Sequence, residues 1–268
     1  FDLDNTLYNY DKCHNIVFKK TINEISKKMN IDIKLVNNEF IKNKKKFQAS
    51  TNTTASSHNK FIQFKKLLES LSINLSNLNF FYNMYLNEFN SNLKLFDNVD
   101  NFLLLCKEKN IKLYLLSNNL LKEQINRLDY LGILKYFEKI YTSEEFNTEK
   151  PDPKIFYNII GEIDCDINDV AMIGDSYLHD INSSMFINMY SFWLNDKFLV
   201  SKYFTEFDNY KNLIKLFENY YLNLNSFVEL SKYVGERFDL VQAGGGNISF
   251  KYNDIMYIKS SGCYLSDI

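Results

Sequence analysis

Two carboxylates and a hydroxyl lie close together at the beginning of the chain, in the stretch Phe1-Asp2-Leu3-Asp4-Asn5-Thr6-Leu7. Alternation along an extended segment directs Asp2 and Asp4 to the same side. If Phe1 to Leu3 end a strand of an open α/β sheet, both carboxylates lie beyond its carboxyl end, where such sheets bind ligands. Two acids there can share a divalent cation and divide nucleophilic and acid/base roles. The alternative is a surface turn, because Asp and Asn favour turns.

Three further polar groups follow in order, and two of them come directly after short apolar runs. They are Ser117-Asn118 after residues 111–116, Lys150-Pro151, and Gly174-Asp175-Ser176 with Asp180 after residues 170–173. Short apolar runs bounded by polar residues are consistent with buried strands. The four groups resemble the four motifs of the haloacid dehalogenase-like (HAD) hydrolase superfamily, and the resemblance extends over about residues 1 to 200.

The elements needed to position these groups alternate between helices and strands from Asp97 onward. The predicted helices are residues 99–109, 120–131, 152–161 and 180–187, and the predicted strands are residues 111–116, 139–142, 170–173 and 190–194. Such alternation is typical of a parallel, doubly wound α/β sheet, here the Rossmann-like core that the resemblance implies. For Asp180 the alternative role is a helix N-cap.

Residues 8 to about 95 show helical periodicity. Apolar residues recur three or four positions apart in stripes formed by Val17, Thr21, Ile25 and Met29; by Phe61, Phe64, Leu68 and Leu71; and by Leu78, Phe81, Tyr85 and Phe89. The stripes predict the core of a helix bundle, with Ser57 and Ser76 as candidate N-caps. The resemblance implies that this insertion is a cap that closes over the active site and reads the substrate. His14 or His58 could face substrate, although solvated or capping roles are commoner for an isolated histidine.

The resemblance also assigns chemistry to the motif residues. Asp2 would attack phosphorus and form an aspartyl-phosphate, and Asp4 would protonate the leaving oxygen and then deprotonate the attacking water. The residues implied to bind the substrate phosphate are Thr6, Ser117, Asn118 and Lys150, and those implied to bind Mg²⁺ are Asp2, Asp4 through its carbonyl, Asp175 and Asp180. Asp180 could instead orient Lys150. Within the superfamily, the second acid at Asp4 favours a phosphatase or a phosphomutase over a dehalogenase.

Length and composition limit the class of protein. A chain of 268 residues fits two domains at roughly 100–200 residues each. The net charge of -2 and the pI near 6.0 provide no global basic footprint for nucleic acid. The four cysteines are scattered without C-x-x-C spacing, which predicts reduced thiols in a cytoplasmic enzyme. The longest apolar runs are too short to cross a membrane, so we expect no membrane partner.

The last part of the chain has a different character. Glycines concentrate in Gln242 to Asn247, and residues 248–252 and 255–259 predict two strands joined at Asn253-Asp254. This stretch resembles the beginning of a class II aldolase/adducin-type domain, and the alternative is a Gly-rich turn before an ordinary hairpin. The second phosphate site that the resemblance implies consists of Asn247, Ser261 and Gly262. The family's zinc ligands would follow Ile268, so Zn²⁺ is expected only in that missing part.

These inferences combine into one predicted organisation. It comprises a HAD-like hydrolase domain over residues 1–200 (core 1–8 and 95–200, helical cap 9–94), a linker over 201–225, and the truncated start of an aldolase-like α/β domain over 226–268. We expect a Mg²⁺-dependent phosphatase of a small phosphorylated metabolite, a sugar phosphate. It would be part of a longer bifunctional protein that could form homo-oligomers through the complete aldolase-like domain. The alternatives are a protein that is mainly a zinc-dependent class II aldolase or epimerase, and a C-terminal domain that only binds, as in adducin-type relatives.

Overall fold

The computed structural model describes residues 1–51, 54–146, 148–195, 201, 203–220, 228, 249–252 and 255–258. The chain divides into two compact units, Phe1–Tyr210 and Lys211–Ile268. Within the part of the chain that the structure describes, each helix lacks the length or the apolar character needed to cross a membrane.

The first unit consists of a helical part followed by an α/β part. The helical part contains α1 (Tyr10–Met29), α2 (Ile33–Thr51), α3 (Lys60–Ser70) and α4 (Leu78–Ser91). The helices of the α/β part are α5 (Val99–Glu108), α6 (Leu121–Tyr130), α7 (Pro153–Ile163) and α8 (Ser183–Phe186). Its strands are β1 (Leu113–Ser117), β2 (Phe137–Thr142), β3 (Ala171–Gly174), β4 (Tyr190–Leu194) and β5 (Phe204–Phe207). The α/β fold with a parallel sheet and helices agrees with the prediction from sequence.

The first residues of the chain lie between two groups of parallel strands. One group pairs β1 with β2, and the other pairs β3 with β4 and β4 with β5. The Phe1 amino group donates to Tyr114 O (2.7 Å) and Leu116 N–H donates to Phe1 O (2.8 Å). On the other side, Asp2 N–H donates to Ile173 O (2.9 Å). The Phe1–Asp2 segment therefore bridges β1 and β3, and the spatial order is β2, β1, the first segment, β3, β4, β5.

Strand β5 was not predicted, and it lies in the region that the sequence assigned to a linker. Its backbone pairs in parallel with β4, with Ser191 opposite Phe204 and Leu194 opposite Phe207. Tyr210 follows β5 and is 1% exposed, and its hydroxyl donates to Thr6 O (3.1 Å). The α/β unit thus extends beyond residue 200 and holds the loop after the first segment.

Aromatic side chains form the core of the helical part. Phe40 of α2 lies between Phe18 of α1 and Phe64 of α3, with ring centroids 4.4 and 5.9 Å apart. Phe64 in turn contacts Tyr85 of α4 at 5.5 Å. The stripes read from the sequence therefore do form the interior of a four-helix bundle, because helical residues three or four apart share one face.

The predicted N-caps of this bundle were wrong. Ser57 lies inside a short 3₁₀ turn, Ala55–His58, and Asn59 caps α3 instead by accepting a hydrogen bond from Ile62 N–H. Ser76 likewise lies inside a 3₁₀ turn whose cap is Asn74. Asn and Ser are about equally good N-caps, so the sequence alone could not decide between neighbouring candidates.

In the second unit, the structure describes an antiparallel pair of strands, β6 (Ser249–Tyr252) and β7 (Ile255–Ile258). Their position agrees with the predicted hairpin around Asn253-Asp254. The implied phosphate-binding residues Asn247, Ser261 and Gly262 lie outside the described residues.

Candidate active site

A buried lysine joins two of the predicted carboxylates. Lys150 is 2% exposed, and its ammonium donates to Asp2 Oδ1 (2.7 Å), to Asp180 Oδ1 (2.6 Å) and to Leu116 O (3.1 Å). These three donations use all the protons of the ammonium. Strand ends β1 and β3 and the first segment meet at this point, so residues far apart in sequence converge on one spot.

Asn118 holds Lys150 in place through the backbone. The Asn118 side chain donates to Lys150 O (2.6 Å) and accepts from Lys150 N–H (2.9 Å). This reciprocal pair occupies the Asn118 side-chain amide, and Asn118 O accepts from Ser143 Oγ (2.9 Å). The backbone N–H of Asn118 is therefore the part that remains for a ligand. In the predicted phosphate-binding pair Ser117-Asn118, the Asn118 side chain therefore has a structural role.

Ser117 retains a hydroxyl proton that can be donated. Its Oγ accepts from Gln124 Nε2 (2.6 Å) and from Asn119 N–H (3.2 Å). A serine hydroxyl has two acceptor sites and one proton, and among the described residues that proton has no acceptor. The Ser117 hydroxyl can therefore donate to a bound anion, and its role in phosphate binding stays a prediction.

Thr6 has a different position from the one predicted. It was expected to bind the substrate phosphate, but it is completely buried and its Oγ1 lies 3.1 Å from both Asp2 Oδ2 and Asp175 Oδ1. Its Oγ1 also accepts from Asp175 N–H (3.1 Å). With its single proton shared between two carboxylates, the Thr6 hydroxyl orients Asp2 and Asp175 and does not face a ligand.

Three carboxylates are close enough together to hold one cation. Oxygen atoms of Asp2, Asp175 and Asp180 all lie within 4.8 Å of one another. With Lys150 as the counterion, the group keeps a formal charge of -2, from three negative charges and one positive. Carboxylate oxygens are preferred ligands of Mg²⁺, so this cluster fits such an ion. Asp4 is not a member of this cluster of side chains.

The pKa values in the cluster reflect this excess of negative charge. Burial raises the pKa of Asp2 to about 7, Asp180, Asp175 and Asp4 act in the same direction, and Lys150 opposes them. Burial and the neighbouring Asp180 raise the pKa of Asp175 to about 6. Burial lowers the pKa of Lys150, but the carboxylates of Asp180 and Asp2 raise it well above its ordinary value. Lys150 is therefore a permanent cation, while a further positive charge would stabilise both carboxylates.

Asp180 was considered as a helix N-cap, and the structure corrects this. The helix begins earlier, in a π-helical turn over Tyr177–Asn182 whose cap is Ser176, and Asp180 lies within that turn. Gly174 explains how Asp180 approaches β3, because a Cβ atom at this position would lie 2.4 Å from Asp180 Oδ2. Asp180 is 1% exposed and bonds to Lys150, so it is positioned by a close approach that requires glycine.

Asp4 is surrounded by hydrogen-bond donors. Arg127 Nη1 lies 3.0 Å from both oxygens of Asp4, and Asn119 Nδ2 and Gln124 Nε2 donate to Oδ2 at 2.6 and 3.1 Å. The Tyr8 hydroxyl donates to Oδ1. Burial raises the pKa of Asp4, but Arg127 and these hydrogen bonds lower it below its usual value. Asp4 is therefore a carboxylate in this arrangement.

Arg127 was missed by the sequence reasoning, although a signal was present. Arg127 is 4% exposed and also pairs with Glu123 (2.9 Å), while its guanidinium lies over the rings of Tyr10 and Phe89. Glu123 and Gln124 precede Arg127 by four and three positions on the buried face of α6. Polar residues at such spacing on a helix that follows Ser117 could have indicated a buried polar network.

The helical part meets the α/β part beside these residues. The Tyr82 hydroxyl of α4 donates to Glu123 Oε1 (3.3 Å), and His58 Nε2 lies 3.2 Å from Glu149 Oε2. His14 instead bonds to the Tyr85 hydroxyl (2.7 Å), and burial lowers the pKa of His14 to about 3. His14 is thus a neutral residue of the bundle, and His58 is the histidine that contacts the α/β part.

Comparison with known proteins identifies the family of the fold. The family model for haloacid dehalogenase-like hydrolases matches residues 1–194. The HAD phosphatase from Thermococcus onnurineus has a TM-score of 0.64 at 20% identity, covering 81% of this chain and 95% of that one. The putative HAD-hydrolase YfnB from Bacillus subtilis, bound to magnesium, has a TM-score of 0.60 at 17% identity, covering 81% and 96%. At these identities the structures establish a shared fold.

Two curated relatives are similar in sequence. The ribulose-1,5-bisphosphate 5-phosphatase of Halopiger xanaduensis is 28% identical over 189 residues, which are 68% of this chain and 77% of the relative. The glyceraldehyde 3-phosphate phosphatase of Methanothermobacter thermautotrophicus is 32% identical over 89 residues, which are 33% of this chain and 39% of the relative.

Replacing Gly174 by alanine should displace Asp180. The added Cβ would overlap the Asp180 side chain, at 2.4 Å from Oδ2 and 2.5 Å from Cγ. We expect Gly174→Ala to lower the free energy of unfolding by about 1–3 kcal/mol, measured by urea denaturation. Gly161→Ala is the matched control, because nothing lies within 4 Å of its new Cβ in α7. That control should stabilise by about 0.5–1 kcal/mol, and equal losses for both variants would contradict the explanation.

Removing the charge of Arg127 should destabilise the α/β part. Arg127→Met leaves the carboxylates of Asp4 and Glu123, whose side chains are 16% and 7% exposed, without their cation. Breaking a buried pair in this way costs about 3–5 kcal/mol, which denaturant unfolding would measure. Lys122→Met on the exposed face of α6 is the control and should change stability by less than about 0.5 kcal/mol. A similar small change in both variants would show that the Arg127 network contributes little.

Proposed function

The chain belongs to the haloacid dehalogenase-like hydrolase family and is a phosphoric monoester hydrolase, and we propose that it is a Mg²⁺-dependent phosphatase of small phosphorylated sugars. The observation that supports this most directly is the buried Lys150, bonded at once to Asp2 and Asp180 beside Asp175. A nucleophilic carboxylate, a fixed cation and a cation-binding group of acids are the parts that phosphoryl transfer needs.

Asp2 would be the nucleophile. Lys150 holds its Oδ1 and Thr6 approaches its Oδ2, so the carboxylate has one defined orientation at the sheet edge. A carboxylate oxygen of Asp2 would form a bond to phosphorus while the bond from phosphorus to the sugar oxygen breaks, giving an aspartyl-phosphate. Lys150 would then neutralise part of the charge on the phosphoryl oxygens, and the Ser117 hydroxyl would donate to one of them.

Asp2, Asp175 and Asp180 would hold Mg²⁺, together with the Asp4 carbonyl. The excess charge of -2 in this cluster and its oxygen donors support the choice of a hard divalent cation. When bound, Mg²⁺ supplies neutralisation of the charge on the phosphoryl group. Whether Asp180 contacts the ion directly or through water, its bond to Lys150 (2.6 Å) also supports the alternative role of orienting that lysine.

Asp4 would move the protons. A proton on Asp4 goes to the sugar oxygen as it leaves, and the resulting carboxylate later takes a proton from the water that attacks the aspartyl-phosphate. The lowered pKa of Asp4 suits the second step, because the carboxylate form is the base. The first step requires prior protonation, and the arrival of a phosphate dianion raises the pKa of a nearby carboxylate.

The names of the two curated relatives support a sugar phosphate as substrate. One is a ribulose-1,5-bisphosphate 5-phosphatase and the other a glyceraldehyde 3-phosphate phosphatase. Both act on short phosphorylated sugars. Helices α1 to α4 would form the cap that reads such a substrate, since Tyr82 and His58 reach the α/β part beside the site.

For residues 226–268 we propose the start of a class II aldolase/adducin-like domain, fused to the phosphatase. The sequence around Gly244 to Ser249 and the described strands β6 and β7 support it. Zinc chemistry would need three or four ligands in one place. Residues 226–268 contain no histidine and one cysteine, Cys263, so this stretch would bind without catalysing.

Asp2→Asn should abolish turnover. The amide is a poor nucleophile and a poor ligand, so phosphate release from glyceraldehyde 3-phosphate should fall by at least about 10³-fold at saturating Mg²⁺. EDTA should abolish the activity of the unchanged protein, and Mg²⁺ should restore it. Asp129→Asn, on the exposed end of α6, is the control and should retain activity. Undiminished phosphate release by Asp2→Asn would exclude Asp2 as the nucleophile.

Asp4→Asn should impair turnover far more than metal binding. Its side chain would move protons while its carbonyl binds the metal, so kcat should fall by about 10²–10⁴-fold. The Mg²⁺ concentration for half-maximal activity should change little. A titration of Mg²⁺ at several substrate concentrations separates the two quantities. A loss confined to metal affinity would contradict the proton-transfer role.

A further inference from the structure

Lys60 is a buried cation without an acceptor. It is the first residue of α3 and is 7% exposed. Among the described residues, no carboxylate, carbonyl or hydroxyl bonds to its ammonium. A mostly buried ammonium without a protein partner is stabilised by an anion beside it, so Lys60 is a candidate anion-binding residue.

The segment just before Lys60 contacts the α/β part beside the phosphate-binding lysine. His58 Nε2 lies 3.2 Å from Glu149 Oε2, and Glu149 immediately precedes Lys150. The side chain of Glu149 is 8% exposed and that of His58 is 32% exposed, so this contact is partly buried. The beginning of α3 is therefore close to the chain that supplies Lys150.

Phe61, the residue after Lys60, is connected by a chain of contacts to Asp4. The Phe61 ring contacts the Tyr82 ring at 4.9 Å, and the Tyr82 hydroxyl donates to Glu123. Glu123 is the partner of Arg127, which in turn holds Asp4. Lys60 thus lies where the helical part meets the α/β part, on the side of Asp4. Asp4 is the residue that would protonate the leaving sugar oxygen.

A second unsatisfied polar group lies on the same face of α3. Gln63 is 2% exposed, and its Nε2 donates to Ser57 O (2.9 Å), while its Oε1 has no partner in the described structure. Lys60 and Gln63 are three residues apart, so both project from one side of the helix. An unpaired ammonium and a buried amide oxygen without a donor on one helix face can both serve a polar ligand.

The charged groups around Lys60 act on its ammonium from a distance and leave its donors unoccupied. Burial lowers the pKa of Lys60 to about 8, Glu123 and Asp4 raise it, and Arg127 lowers it. Lys44 is a further cation in this region, because its pKa is lowered by burial and by Lys60. His14 is neutral and adds no charge. Arg127 and Lys60 carry two positive charges against the two negative charges of Glu123 and Asp4, and the carboxylate of Asp11 acts on Lys44. None of these carboxylates bonds to the Lys60 ammonium, so its donors remain available to a ligand.

We propose that Lys60 binds a second anionic group of the substrate, on the side of the leaving sugar, with Gln63 accepting from a neighbouring sugar hydroxyl. The preferred substrates would then carry a phosphate or a carboxylate in addition to the phosphate that is hydrolysed. This inference rests on the proposed phosphatase function. It adds that the enzyme distinguishes phosphorylated sugars by whether they carry a second anionic group.

Two matched pairs of substrates test the proposal. Ribulose 1,5-bisphosphate and ribulose 5-phosphate differ by one phosphate, and 3-phosphoglycerate and glyceraldehyde 3-phosphate differ by a carboxylate in place of an aldehyde. The unchanged protein should have a higher kcat/KM for the doubly anionic member of at least one pair, and which pair responds identifies the group. Lys60→Met should reduce that preference by at least about tenfold, mainly through KM, and Lys60→Arg should retain most of it.

Controls separate a binding role from a structural one. Lys65→Met, an ion-paired residue at the surface of α3, should leave the preference unchanged. Lys60→Met removes an unpaired buried charge, so its free energy of unfolding should not fall. Equal loss of activity toward both members of each pair would overturn the proposal, and so would a preference for the singly charged member in the unchanged protein.

The dependence on pH gives an independent readout. The preference should decline as the pH rises through the pKa of Lys60 and should not vary in this range in Lys60→Met. The Asp2→Asn variant distinguishes the two levels of inference. If phosphate release requires Asp2 but the preference for the doubly anionic substrate is unchanged in Lys60→Met, the anion proposal is wrong and the proposed function stands. If no substrate of either pair is hydrolysed in an Asp2-dependent manner, the proposed function fails and the anion proposal with it.

Discussion

The ion pairs of Lys150 with Asp2 and Asp180 are the interaction on which the rest of the site depends. All three side chains are nearly excluded from solvent, so each charge would be costly without the others. Bringing them together requires the first segment to lie beside β3, the chain before α7 to reach β1, and the π-helical turn to approach Gly174. The arrangement of the strands and the pairing of these charges therefore depend on each other. A divalent cation would neutralise the negative charge that remains.

A second polar network, centred on Arg127, connects this sheet to the helical part. Arg127 pairs with Asp4 and Glu123, stacks near Tyr10 and Phe89, and through Glu123 reaches Tyr82. The proposed proton-transfer residue, Asp4, is thus held by a side chain that also contacts the helical part. Changes in how the helical part packs on the α/β part would therefore affect Asp4 through Arg127, and they could affect Asp2 through the contact of His58 with Glu149, the neighbour of Lys150.

Much of this arrangement could be predicted because parallel strands place their carboxyl ends at one edge. The positions of Ser117 and Asp175 follow from apolar runs that end just before them, and Asp2 was recognised from its spacing to Asp4 and Thr6. The helices α5, α6 and α7 follow from periodicity. Contacts between distant residues could not be read in this way. The burial of Thr6 depends on Asp175, and the position of Asp180 inside a helical turn depends on the missing Cβ of Gly174. Strand β5 is four residues long, too short for alternation to distinguish it from a linker.

The sheet becomes continuous only when the Phe1–Asp2 segment pairs with β1 and β3 during folding. It fills the gap between β1 and β3, hydrogen-bonding to residues more than 110 positions away on one side and more than 170 on the other. Closing such long loops is entropically costly, so these pairings are expected to form after the local ones. Until they form, β1 and β3 each present an open edge, and open edges invite pairing with other chains. The carboxylate of Asp2 arrives with the segment that closes those edges, so an incompletely folded molecule lacks both a continuous sheet and the means to react.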